Sequence, residues 1–141
     1  MVSEERQVLE SVCDEARSLG RLTRSQWERL RSAFGDRFDK AWRLVEEGRV
    51  KHYIFEPSGR TAWIVVGRGR EYQVLPTSGF CSCDDFYYRV VDGRAGLCYH
   101  LMGQRLADAL GAFQEVHEGD EVFDMLMAEW RRQPGEEEEC G

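Results

Sequence analysis

The chain of 141 residues is 42% hydrophobic and 32% charged, which suits one compact domain and is too short for two ordinary ones. Its formal net charge of −7 argues against a protein coated in positive charge. No run approaches the roughly 18 consecutive apolar residues of a membrane-spanning helix, and the polar start MVSEERQ lacks a signal-peptide core. An intracellular location is therefore expected. Stable disulfides are rare there, so five cysteines need another explanation.

Residues 1–47 read as a helical region. Val8, Leu9, Val12, Ala16 and Leu19 share one face at helical spacing, and Gly20 can end that helix. Thr23 or Ser25 can cap the next one, with Gln26 or Glu28 three residues on in capping-box position. Trp27, Leu30, Ala33 and Phe34 form its apolar stripe. Gly35-Asp36 reads as a break and restart. Phe38, Ala41, Trp42 and Val45 then carry the helical period to Gly48, which suits a helix C-terminus.

The period changes after Gly48. Val50–Phe55, Thr61–Val66 and Glu71–Leu75 are rich in β-branched and aromatic residues. Pro57-Ser58-Gly59 and Gly67-Arg68-Gly69 separate them as turns. The expectation is a small three-stranded antiparallel sheet, closed by Pro76–Gly79. Asp84–Val91 reads as a short helix and Asp92–Gly96 as a loop. A longer helix from Cys98 carries Met102, Leu106, Ala109, Leu110 and Phe113 on one side. A last helix, within residues 115–133, presents Val122, Phe123, Leu126, Met127 and Trp130. Residues 134–141 form an acidic tail, expected to be disordered. The fold class expected is α+β.

The charge is unevenly spread. From Glu115 onward there are ten acidic residues and two arginines, while the first 114 residues carry 17 basic and 16 acidic ones. The sheet region alone has five basic residues (Arg49, Lys51, Arg60, Arg68, Arg70) against Glu56 and Glu71. A local basic face is thus compatible with the acidic total.

Four residues stand out chemically. Cys81-Ser82-Cys83 is followed, after 14 residues, by Cys98-Tyr99-His100. Three thiolates and one imidazole make the closed tetrahedral shell of structural zinc, with about one net negative charge. In a helix, residues two apart point about 200° apart. Cys98 and His100 can therefore reach one metal only if Cys98 sits at the helix start and His100 in its first turn. Cys81 and Cys83 would share a side on a strand end. A redox pair at Cys81 and Cys83 is less fitting, because redox dithiols usually stand with two residues between them. Four strong ligands leave no open position for a catalytic water. Cys13 and Cys140 lie outside the set, and His52 and His117 have no ligand-spaced partner.

Phe80-Cys81-Ser82-Cys83-Asp84-Asp85-Phe86 with Leu97-Cys98-Tyr99-His100-Leu101 resembles the SWIM zinc finger, Cys-x-Cys followed by Cys-x-His. The residues AWRLVEE, Pro57-Ser58-Gly59-Arg60, Glu71–Val74 and DMLMAEW extend the likeness to the small SWIM-domain subunit of the Shu complex and its archaeal relatives. About Gly35 to Trp130 is covered. Residues 48–114 would be the zinc-binding region. The resemblance implies one structural Zn²⁺ on Cys81, Cys83, Cys98 and His100, and no catalytic residue. It implies an accessory role in homologous recombination, in which the protein pairs with a RecA-family recombinase paralogue and the pair assists recombinase filaments on single-stranded DNA. The location would be the nucleus in a eukaryote, or the cytoplasm and nucleoid in an archaeon. Many members have a basic residue before the histidine, where this chain has Tyr99.

Surfaces must carry such a function. Arg49, Lys51, Arg60, Arg68 and Arg70, with Tyr53, Trp63 and Tyr72 nearby, suit a single strand, whose bases stack and whose phosphates pair. Trp27, Trp42 and Trp130 are either core residues or anchors for a protein partner. A zinc-stabilised adaptor without DNA contact, or a DNA-binding regulator outside recombination, would use the same elements. The acid pairs Asp84-Asp85 and Glu46-Glu47 have no nucleophile–base companion, so an enzyme is not expected.

Overall fold

The computed structural model describes residues 4–67, 70–76, 80–81 and 98–130; of 4, 5, 80 and 81 only the backbone is considered. Cys83, Arg68, the expected short helix at 84–91 and the acidic tail lie outside the described residues.

Three helices come first: α1 (Glu4–Leu19), α2 (Arg24–Phe34) and α3 (Asp36–Glu46). The start of α2 is a capping box. The Gln26 amide donates to Thr23 Oγ1 at 3.3 Å, and the Thr23 amide donates to Gln26 Oε1 at 2.9 Å. Gly35, at φ +59°, lets the chain turn directly from α2 into α3.

Strands β1 (Val50–Glu56), β2 (Thr61–Val66) and β3 (Glu71–Leu75) pair antiparallel in sequence order. The sheet is larger than the three strands expected. A two-residue β4 (Phe80–Cys81) pairs antiparallel with β3, placing Cys81 opposite Val74. Helix α4 (Tyr99–Leu110) then crosses to β5 (Gln114–Gly119), which runs parallel to β1. The strand order is β4-β3-β2-β1-β5, so the sheet is mixed. Helix α4 stops at Leu110, capped by Gly111 in the left-handed conformation, and does not reach Phe113 as the periodicity suggested. The stretch from Glu115 is likewise strand before it is helix. A 3-10 turn (Asp120–Val122) leads into α5 (Phe123–Trp130).

Each face of the sheet is covered. On one, Val50, Val65, Tyr72 and Val74 meet Leu9, Val12, Leu30, Phe38, Leu44, Leu101, Met102 and Leu106 from α1–α4. On the other, Tyr53, Phe55, Ala62 and Ile64 meet Trp130, with Phe123, Leu126 and Met127 beside it. The alternation along β1 and β2 therefore feeds two cores. Burying a side chain such as Phe38 or Phe55 contributes about 1.5–3 kcal/mol. Trp130 is fully buried and its indole donates to Glu71 Oε1 at 2.9 Å, so this tryptophan is core. Trp27 and Trp42 pack edge-on to each other at 5.1 Å and remain partly buried against the first core.

Helix α4 is the hub. The pair Arg105–Glu10 ties it to α1, as does the Cys13 thiol donating to the Arg105 carbonyl at 3.6 Å. Against α3 the approach is closest at Gly103, where an added Cβ would lie 2.9 Å from Leu44 Cδ1 and 3.3 Å from the Ala41 carbonyl oxygen.

Candidate metal centre and basic surface

Cys98 is the N-cap of α4 with extended backbone (φ −78°, ψ 159°), and His100 is in the first turn. This is the arrangement that a Cys-x-His pair needs to reach one ion. Both are buried, at 1% and 5% exposure. The His100 ring lies between Tyr72 and Tyr99, with centroids 4.6 and 4.2 Å away. Its Nδ1 is buried and makes no hydrogen bond among the described residues. A buried imidazole nitrogen without a partner is costly unless something beyond the described residues engages the ring. The thiol of Cys98 makes no capping hydrogen bond to the start of α4.

β4 brings Cys81 to the same end of the molecule, since it pairs with β3 beside Tyr72, the residue that packs on His100. Among the described residues, no group of three or more His, Cys, Asp or Glu side chains gathers to hold a metal. Of the four expected ligands, only Cys98 and His100 have described side chains, so the Cys₃His set as a whole lies outside what the described residues test. Those two fit the donor chemistry of a closed zinc shell.

The other cysteine and histidines have ordinary duties. Burial pushes the Cys13 thiol up to about 12, which leaves it unreactive. His52 stacks on Trp63 at 4.1 Å, and burial lowers its pKa. His117 lies between Glu115 and Glu56, each at 3.3 Å, and these hydrogen bonds raise its pKa.

The basic residues expected to face DNA are largely engaged. Arg49 pairs with Glu47 at 2.6 Å and also donates to the Val66 carbonyl. Lys51 pairs with Glu71 at 3.5 Å. Arg60 pairs with Asp120 at 3.7 Å, and its guanidinium lies 3.7 Å from the Phe123 ring centre. Arg70 lies over the Tyr72 ring at 5.2 Å. Asp120 also accepts from the Ser58 amide and hydroxyl, at 3.0 and 2.8 Å. Asp120, one of the acids after Glu115, therefore folds onto part of the basic sheet region.

Two cations that the sequence did not single out are differently placed. Lys40 and Arg43, on α3, are exposed and have no carboxylate partner among the described residues. They line a groove of about 510 Å³ with Glu47, Arg49 and Tyr99. Their i, i+3 spacing was the available signal, but the groove needs α4 and the end of β2, which spacing does not reveal.

No protein-family model matches the chain. Its sequence is 34% identical to zinc finger SWIM domain-containing protein 7 of Mus musculus, over 75% of this chain and 71% of that protein. The protein of that name from Danio rerio is 32% identical, over 74% of each chain. An uncharacterized protein of Archaeoglobus fulgidus is 30% identical, over 64% of this chain and 70% of its own. At that identity and coverage, the chain belongs to the family of zinc finger SWIM domain-containing protein 7.

Proposed function

We propose that the protein is a non-catalytic, zinc-stapled accessory factor of homologous recombination that pairs with a RecA-family recombinase paralogue and contacts single-stranded DNA. The observation that carries this reading is the buried Cys98–His100 pair at the start of α4, in a chain of SWIM-domain kinship. One structural Zn²⁺ would be held by Cys81, Cys83, Cys98 and His100. It would supply a cross-link between the sheet edge and the first turn of α4, with no open position for catalysis. The protein would work inside the cell, in the nucleus or nucleoid where recombination occurs; among the described residues no helix is long and apolar enough to cross a membrane.

Affinity purification of the tagged chain from its own cells should recover a RecA-type ATPase at near-equal amounts. Repeated recovery without one would sink the partner assignment. Elemental analysis of the purified protein should give one zinc per chain, and Cys98→Ser or His100→Ala should lose it. Full zinc content in either variant would refute the four-ligand set.

A second reading is a protein–protein adaptor without DNA contact. The pairing of Arg49, Lys51 and Arg60 with Glu47, Glu71 and Asp120 favours it. Direct measurement of oligonucleotide binding separates the two.

A further inference from the structure

We infer that the strand-binding site is the groove between α3 and the start of α4, with Lys40 and Arg43 holding phosphates and Tyr99 presenting its ring to a base. The inference rests on the proposed contact with single-stranded DNA and relocates it within the molecule. Three of the five sheet-region cations are already neutralised by carboxylates at 2.6–3.7 Å. A phosphate that engaged them would first have to displace Glu47, Glu71 or Asp120, and each of these acids would repel it.

The groove differs at Lys40 and Arg43. Lys40 and Arg43 are exposed, close on one helix face, and have no carboxylate partner among the described residues. Lys40 Nζ stands 5.6 Å from the centre of the Tyr99 ring. An exposed cation–π contact contributes only about 0.5–1 kcal/mol, so the ammonium can leave the ring for a phosphate at little cost. Tyr99 is half-buried, wedged against His100 at 4.2 Å, and so offers a fixed ring instead of a swinging one. Among the described residues lining the groove, Arg49 already pairs with the single carboxylate, Glu47, which leaves Lys40 and Arg43 as its two uncompensated cations. At about 510 Å³ it has room for a nucleotide-sized group. Aromatic surface beside exposed cations is the combination that tracks a single strand: phosphates pair with the cations and bases stack without regard to sequence. An acidic peptide would use the cations but has no planar group for Tyr99.

The test uses the full zinc-loaded chain and a fluorescein-labelled oligothymidylate followed by anisotropy. Lys40→Gln with Arg43→Gln should weaken binding at least tenfold near 100 mM salt. It should also flatten the salt slope by about 1.4, two phosphates at about 0.7 each. Tyr99→Ala should weaken binding severalfold, and Tyr99→Phe should restore it. Lys51→Gln with Arg60→Gln should change affinity less than twofold. Unlabelled oligothymidylate should displace the probe far better than poly-glutamate of equal charge. Unchanged affinity in the Lys40 and Arg43 double variant would overturn the assignment. So would equal displacement by poly-glutamate, or loss confined to the Lys51 and Arg60 variant. Those outcomes leave partner recovery untouched, so failure of the groove is distinguishable from failure of the accessory role.

Discussion

Gly103 shows how one residue sets the geometry of the candidate centre. A Cβ there would press on the Leu44 side chain and the Ala41 carbonyl, the latter part of the rigid α3 backbone. Overpacking of this kind costs about 1–3 kcal/mol, against a gain of about 1 kcal/mol in helix propensity. Gly103→Ala is therefore expected to lose up to about 2 kcal/mol in urea unfolding, and to weaken metal retention because α4 shifts with His100 on it. His117 gives a pH signature. Its pKa is raised by Glu115 and Glu56, so its contribution is fully present below the unfolded value near 6.5 and disappears as pH rises through the raised value. The difference in urea midpoint between the wild type and His117→Gln should then exist at pH 5.5 and vanish by pH 8.5. His52 works in the opposite sense. Burial lowers its pKa, so its contribution is present above about 6.5 and falls as pH drops through the lowered value.

At the scale of elements, α5 closes the second core by a single large residue. Trp130 covers Tyr53 and Phe55 and donates to Glu71, which also holds Lys51. Trp130→Ala should cost about 3–5 kcal/mol, and Trp130→Phe less, since it loses the indole donor and part of the ring volume while Lys51 still serves Glu71. Chemical denaturation with tryptophan-independent detection, such as far-UV circular dichroism, measures both. The local elements were legible because their signals are local. Thr23 and Gln26 spell a capping box, Gly35 and Gly48 punctuate helices, and the three β-rich runs are strands where expected. β5 was not legible. QEVHEG has one apolar residue, Val116, and its strand character comes from parallel pairing with β1, some sixty residues earlier. The end of α4 was misread because Phe113 continues an apolar spacing that Gly111 interrupts. The placement of Cys98 at the start of α4 with His100 in its first turn was legible, because helix geometry lets a Cys-x-His pair converge only at a helix start. The groove at Lys40 and Arg43 was not, since Tyr99 and Gly67 reach it from distant parts of the chain.

At the scale of the molecule, two hydrophobic cores on opposite faces of one sheet separate this protein from small fingers that depend wholly on their metal. Chelation should leave most far-UV helical signal at low temperature while lowering the thermal midpoint. A metal contribution of about 3 kcal/mol would move the midpoint by about 10 °C. A midpoint unchanged by chelation, in protein shown to have lost its zinc, would mean that the ion is not a staple. The net charge of −7 also takes on shape here. Part of the acidic stretch is spent on the sheet through Asp120 with Arg60 and Ser58.

Another part lies along β5, the outermost strand beside β1, where Glu115, His117 and Glu118 are all exposed. An edge strand is a template on which a second chain can align, and among the described residues the far edge is the two-residue β4. Two copies meeting along β5 would set their glutamates against one another. The acids that hide this strand from a reader of hydrophobic patterns also keep copies of the chain from zipping together when the protein is concentrated.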